Sequence, residues 1–333
     1  MSTGQKKSMP YVRLGKSGLK VSKIILGCMS YGSEKWQDWV IGDETEAIKH
    51  IKTAYDAGIN TFDTANMYSN GASEVILGKA IKELKLPRDE IVVLTKVFFT
   101  VAKTPSGRIG GADPDTEGYV NQHGLSRKHI FESVKHSLER LQLDYVDVLQ
   151  CHRFDYDTPI EETMQALHDV VQAGYSMPCK TTRSTTSSPR LSQCRTTTVS
   201  STARKSSLMQ RQMFGVGSIP WSPLARGILT RPFDQQKATT RGKTDAYQAI
   251  YSNAGREKVV GAVEKVAKAK GASMAQVSLA WVLAKEGVTA PIVGTTSLDN
   301  LTDLLGAVNI TLTPEEIREL EDGYVIQAAA GHS

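Results

Sequence analysis

Cysteine is scarce in this chain: Cys28, Cys151, Cys179 and Cys194 are all there are among 333 residues. Their spacing fits no zinc finger or ribbon, so no metal site is expected, and so few thiols suit a reduced compartment better than a disulfide scaffold. No run of 18 apolar residues exists, so no segment is expected to span a membrane. The opening MSTGQKKSMP is polar, so no secretory signal is expected there, and the expected location is the cytoplasm. Acid is also missing, but locally. Residues 176–207, SMPCKTTRSTTSSPRLSQCRTTTVSSTARKSS, hold 17 Ser or Thr, six Lys or Arg, and no Asp or Glu. That stretch explains the formal charge of +5, because the other 34 basic residues face 35 acidic ones. No basic face is left over for nucleic acid, and no such partner is expected.

What is present reads as a globular protein, 40% hydrophobic and 23% charged, long enough to bury a large core. Strand-like and helix-like segments alternate. A short apolar strand, Ile24 to Cys28, precedes the helix in GDETEAIKHIKTAYDAG, where Ala47, Ile48, Ile51, Ala54 and Tyr55 share a face and Gly58 suits the position after the end. INTFD is a strand, SEVILGKAIKEL a helix, and DEIVVLTK a strand. A polar, Gly-rich loop follows, roughly Pro105 to Gly124. Ser126 then caps the helix RKHIFESVKHSLERL, DYVDVLQCH is a strand, and PIEETMQALHDVVQAG a helix. Beyond the acid-free stretch come GVGSIPWSPL (strand and loop), the helices REKVVGAVEKVAKAKG and SMAQVSLAWVLAKEG, the strand APIVGTT, and the helices SLDNLTDLLGAV and TPEEIRELEDGY. The alternation implies parallel strands with helical crossovers, four ahead of the stretch and two behind it. An open doubly wound sheet and a (β/α)8 barrel both accommodate it. A barrel makes one further demand, that catalytic residues stand at the C-terminal ends of successive strands.

Three successive strand ends meet that demand. Asp63 ends INTFD, with Tyr68 five residues on; Lys96 ends IVVLTK; His152 ends YVDVLQCH. A phenol is a poor acid–base catalyst near neutral pH, but an adjacent ammonium favours its ionised form. An aspartate keeps the ammonium charged and in place, and an imidazole orients a carbonyl oxygen. Such a group protonates an oxygen while a hydride reaches carbon, and only a cofactor supplies the hydride. Singly, each residue has a plainer reading: an N-cap or ion-pair partner for Asp63, a solvated strand end for Lys96, a structural histidine for His152, a small apolar residue for Cys151. A complementary set on three consecutive strand ends is far rarer by chance.

The stretch GINTFDTANMYSNGASEVILGKAIK, with Asp63, Tyr68, Gly71, Ser73, Glu74, Leu77 and Gly78, is very similar to the signature of the aldo-keto reductases. The resemblance extends through LTKV, DVLQCHRFD, IPWSPLARGIL and PIVGTTSLDNL, over roughly 290 residues. It is nearest to the fungal branch of aryl-alcohol dehydrogenase-like and versiconal hemiacetal acetate reductase-like enzymes. It implies a single (β/α)8 TIM barrel over residues 1–333 that binds NADP(H) extended and acts on a small carbonyl or alcohol substrate. Tyr68 is then the proton donor, Lys96 and Asp63 its tuning pair, and His152 the residue that orients the carbonyl. Ser222, Pro223, Leu224, Ala225 and Gly227 match the family's pyrophosphate loop. Gly294, Thr295, Thr296 and Ser297 match the loop near the adenosine 2′-phosphate, where helix-start N–H groups suit an anion. Gly27, Cys28 and Met29, with Asp63, border the nicotinamide. The basic residue often found after the eighth strand is missing, since Ser297 and Leu298 stand there, so a preference for NADPH over NADH rests on the resemblance.

Between Gly174 and Val216 a barrel needs two strand–helix units, about 60 residues at roughly 30 each, yet only 41 are present and they hold no apolar strand run. Strands five and six are therefore expected to be missing or scrambled, with 176–213 an aberrant, disordered segment. Three accounts are open: a disordered Ser/Thr/Arg insert, which leaves the loss of two strands unexplained; divergence to a different fold, which the intact flanks disfavour; and a change of reading frame. With one permitted codon per residue, reading from the third base of the Cys179 codon spells QNYAINNKLTPFISMQNHYSLVYREEE, and FISMQNHY is similar to the family's sixth strand. The residues with which the family holds and stacks the nicotinamide there have no counterpart, so reduced turnover is expected. A rival reading makes the chain a non-catalytic, nucleotide-binding interaction subunit of the same fold; retention of Asp63, Tyr68, Lys96 and His152 favours the enzyme. Neither the physiological substrate nor the oligomeric state is written in these residues.

Overall fold

Short apolar runs closed by Gly or by polar residues form the strands of the computed structural model, which describes residues 9–104, 107, 113–177, 215, 217–251 and 254–325. Apart from Ser176 and Met177, the segment expected to be aberrant lies outside the described residues, as does part of the loop after Pro105. The chain opens with a hairpin, β1 (Tyr11–Arg13) against β2 (Lys20–Ser22). Five parallel strands follow: β3 (Ile25–Gly27), β4 (Thr61–Asp63), β5 (Val92–Val97), β6 (Val148–Cys151) and β7 (Ile292–Val293), in the order β6-β5-β4-β3-β7. All neighbours are parallel, as the strand–helix alternation implies.

Single parallel bridges extend this sheet at both edges. Ser176 bridges Val146, with Met177 N–H donating to the Val146 carbonyl at 3.0 Å. This isolated bridge is all that follows the helix Ile160–Gln172 at that edge among the described residues, consistent with a fifth strand that is missing or scrambled. At the other edge Ser218 bridges Val288 and Trp221 bridges Ile292, where a strand was read in GVGSIPWSPL. Pro220 and Pro223 have no N–H to give a ladder there, which limits pairing to isolated bridges. Among the described residues the sheet stops at these two edges.

The helices are α1 (Glu44–Asp56), α2 (Ala72–Glu83), α3 (Arg127–Leu141), α4 (Ile160–Gln172), α5 (Thr240–Thr244), α6 (Arg256–Lys270), α7 (Met274–Ala284), α8 (Leu298–Leu305) and α9 (Pro314–Glu321). Asp43 caps α1, accepting from Thr45 N–H at 2.8 Å, and Ser126 caps α3 as its sequence predicts. Gly58 follows α1 at φ +98°, the left-handed conformation that ends a helix without strain in glycine. Gly78 is required where α2 crosses α3, since a Cβ there would lie 2.4 Å from the Leu141 carbonyl oxygen. Among the described residues no helix is long and apolar enough to cross a membrane.

The strands sort their inward side chains into two levels, because residues i, i+2 and i+4 share a face. Ile25, Val92, Leu94, Val148 and Ile292 form an apolar lower level with Leu14 and Val21 of the hairpin. One step up stand Gly27, Asp63, Lys96 and Gln150, and the floor turns polar. A larger core packs the outer strand faces against α1 to α4, and a separate one joins α6, α7 and α9.

Candidate active site

The upper level is built by register. Gly27 pairs with Asp63, Asp63 with Leu94, and Lys96 with Gln150, so these side chains stand side by side at the C-terminal ends of four adjacent strands. The chain leaving β4 stays on β5: Thr64 N–H donates to the Leu94 carbonyl at 2.8 Å, and Asn66 N–H to that of Lys96 at 3.3 Å. That path carries Tyr68 over Lys96. The turn beyond it holds Ser69 and Asn70 at φ 49° and 50°, strained for residues with a Cβ. Polar contacts fix them there: Ser69 Oγ accepts from Ser33 N–H at 3.0 Å, and the Asn70 amide donates to the Gly107 carbonyl at 2.8 Å.

Lys96 is wholly buried. Its Nζ lies 2.7 Å from Asp63 Oδ2, also donates to the Thr64 carbonyl, and stands 4.7 Å from the centre of the Tyr68 ring. The other Asp63 oxygen accepts from Gln150 Nε2 at 3.0 Å. The His152 ring meets Tyr68 edge-on, centres 5.8 Å apart, and meets Phe99 at 4.9 Å. Trp36 closes the collar, 6.5 Å from Tyr68. The four residues expected at strand ends are thus in one cluster, its ammonium and carboxylate paired out of water. Cys151, next to His152, has its thiol pushed up to about 12 by burial, so it is no nucleophile at neutral pH.

A cleft of about 1200 Å³ opens over this cluster, beyond the roughly 300–1,000 Å³ of most small-molecule pockets. Of the residues expected to hold a cofactor, Gly27, Met29, Asp63, Ser222, Pro223 and Leu224 are on its wall, together with Gly227, Gly294, Thr295 and Thr296. Gly27 keeps the floor clear, since a Cβ there would come within 2.9 Å of Ile292 Cγ2. Three expected residues are placed elsewhere. The Cys28 side chain is fully buried, its thiol pushed well up by burial and then by the Asp63 charge. Ala225 belongs to the second core, and the Ser297 hydroxyl caps α8 by accepting from Asn300 N–H at 3.3 Å.

The sequence reading missed the cations of this cleft. Arg226 and Arg231, from the segment after Trp221, line it with Arg241 of α5 and Arg153 beyond β6. Asp245 is buried and shared, 2.6 Å from Arg226 Nε and 3.0 Å from Arg241 Nε. Arg241 stacks over Trp39 at 4.2 Å. Arg226 and Arg241 thus share one carboxylate, Arg231 lines the cleft beside them, and Glu34, Asp38, Asp43, Glu46 and Asp303 stand on the same wall. Ser222, Ala225 and Arg226 adopt left-handed backbone at φ 51°, 49° and 57°. No periodicity marks such a loop, so its arginines give no signal until the turns are in place.

The aldo/keto reductase family model matches residues 23–176 and 190–324. A putative aryl-alcohol dehydrogenase of Schizosaccharomyces pombe is 44% identical over 344 aligned positions, covering 94% of this chain and 95% of that protein. Versiconal hemiacetal acetate reductase of Aspergillus parasiticus is 42% identical, covering 96% and 98%. A putative aryl-alcohol dehydrogenase of Saccharomyces cerevisiae is 40% identical, covering 94% and 96%. The chain belongs to the aldo/keto reductase family, oxidoreductases of carbonyl groups built on the (β/α)8 barrel.

Proposed function

We propose that this protein reduces aldehydes and ketones to alcohols, reversibly, with NADPH as reductant and Tyr68 as proton donor. The observation that carries the reading is the buried Asp63–Lys96 pair, 2.7 Å apart, with Tyr68 ring and His152 ring packed above it. Bound nicotinamide supplies the hydride. The protein's own residues do the rest. His152 donates a hydrogen bond to the carbonyl oxygen and turns its carbon toward the floor at Gly27. Lys96, held by Asp63, stabilises negative charge on the Tyr68 oxygen as its proton passes to the carbonyl oxygen, and solvent then reprotonates the phenolate. Trp36 and Phe99 suit an aromatic substrate face.

Three features of the cleft support a phosphorylated dinucleotide as its occupant. The cleft is large, its floor carries no side chain at Gly27, and Arg226, Arg231 and Arg241 are on its wall. Guanidiniums bind phosphate oxygens in bidentate fashion, which supports NADPH over NADH. The scarcity of cysteine, with Cys28 and Cys151 both free thiols, supports a cytoplasmic location.

Turnover by this chain is proposed to be low, because the residues with which the family holds and stacks the nicotinamide on strands five and six have no counterpart in the acid-free stretch. The test is NADPH oxidation by the purified chain on adding an aromatic aldehyde. Aldehyde-dependent oxidation slower than the roughly 10 s⁻¹ median of enzymes is expected. No aldehyde-dependent oxidation at stoichiometric enzyme overturns the reductase reading, and an ordinary rate overturns the impairment.

A further inference from the structure

We infer that Gln150 is a positioning residue for the acid–base group, its side-chain amide fixing the Asp63 carboxylate so that Lys96 stays turned toward Tyr68. This rests on the reading of Tyr68, Lys96 and Asp63 given above. β6 presents Val148 and Gln150 to the same face, with His152 just beyond its end, and Gln150 stands directly across from Lys96 in the ladder. Its side chain is 1% exposed. An apolar residue would continue the level of Leu94 and Val148 below it, so a buried amide here calls for a polar reason.

The reason is the second oxygen of Asp63. Oδ2 is taken by Lys96 at 2.7 Å, and without Gln150 Oδ1 would be a buried acceptor with that bond unmade. A carboxylate tied at one oxygen is free to swing about its own axis and take the ammonium with it. With both oxygens tied, the Lys96 donors are assigned: one to Asp63, one to the Thr64 carbonyl, and one on the side of the Tyr68 ring. The charged and titratable groups around Asp63 are Lys96 from β5, Tyr68 above, His152 beyond β6, and the protonated Cys28 thiol after β3. A neutral donor at 150 leaves the Asp63–Lys96 charges balanced; a carboxylate there would not.

The test is thermal unfolding of the full chain and its variants from about pH 5 to about pH 8. In Gln150→Glu, the protonated acid at low pH still donates to Asp63, so Tm stays near wild type. As pH rises the new carboxylate ionises against Asp63, and the gap is expected to open to several degrees. In Asp63→Asn/Gln150→Glu, amide and carboxylate exchange places within reach of Lys96, and the gap is expected to close again. A gap that does not vary with pH, or a double variant no nearer wild type than Gln150→Glu, overturns the proposal.

Kinetics separate this from the reductase reading. Gln150→Leu is expected to lower kcat about tenfold and to alter the pH profile, with the KM for NADPH unchanged. A uniform loss at every pH, or a rise in that KM instead, counts against a positioning role. A wild-type chain that never turns over, with the thermal pattern as expected, overturns the reductase reading and leaves the hold of Gln150 on Asp63 intact.

Discussion

The two flanks of β3 hold the site by different means. On one side β4, β5 and β6 form continuous ladders, and the reacting groups stand on the strands themselves or one turn beyond. On the other side pairing shrinks to the two residues of β7 and to bridges at Ser218 and Trp221. There the cleft is shaped by loops with left-handed residues and by arginines tied to Asp245. The difference suits the two tasks proposed for them. A proton donor must be placed to a fraction of an ångström, which strands can do, whereas a phosphate end needs charge more than exact geometry.

Variants on each flank sharpen the contrast. Tyr68→Phe is expected to lower kcat by ~10²- to 10⁴-fold while leaving cofactor affinity and Tm near wild type, as steady-state kinetics and fluorescence titration would show. Lys96→Met is expected to cost about 3–5 kcal/mol of stability in denaturant unfolding, because it strands the Asp63 carboxylate in the core. Adding Asp63→Asn should recover much of that loss. Equal activity in Tyr68→Phe, or an unchanged midpoint in Lys96→Met, would mean that the strand flank is not the reacting one.

On the loop flank, Arg241→Ala is expected to weaken NADPH about tenfold, near the ~1.5 kcal/mol of a charge-assisted hydrogen bond. Binding of NADH should change little and kcat should hold. If NADH weakens equally, the arginines do not read the extra phosphate. The smallest effect is on acid stability. His50 and His129 are both buried on the strand flank, and burial holds each imidazole below its ordinary range. Unfolded histidines take up protons below about pH 6.5 while these stay neutral, so stability present above that pH falls as acid is added. Hydrogen exchange should show α1 and α3, which carry them, loosening before α6 and α7.

The same contrast explains what the sequence could reveal. Asp63, Lys96 and His152 were legible because each closes an apolar strand run, and α1 and α3 because their faces repeat and their caps are standard. Gln150 lay within a run read simply as a strand, although its place between Val148 and His152 on the inward face was the available signal. Cys28 was misplaced for the same reason, since one step along a strand end reverses the side chain: Gly27 reaches the cleft floor while Cys28 turns into the core. The β1–β2 hairpin went unread because YVR and KVS are short and interrupted by charged or polar residues, with no apolar run to mark them. The bridge at Ser176 depends on Val146 as partner, and Arg226, Arg231 and Arg241 meet only through tertiary packing that no composition cue marks.

The most direct measurement follows the hydride itself. The full chain, in excess over NADPH deuterated at the transferable position, is mixed with an aromatic aldehyde, and the alcohol is analysed by mass spectrometry. A single deuterium on the carbinol carbon is expected, formed far more slowly by Tyr68→Phe. Alcohol without the label, or labelled alcohol formed at the same rate by Tyr68→Phe, would contradict a hydride-transfer site in which Tyr68 gives the proton.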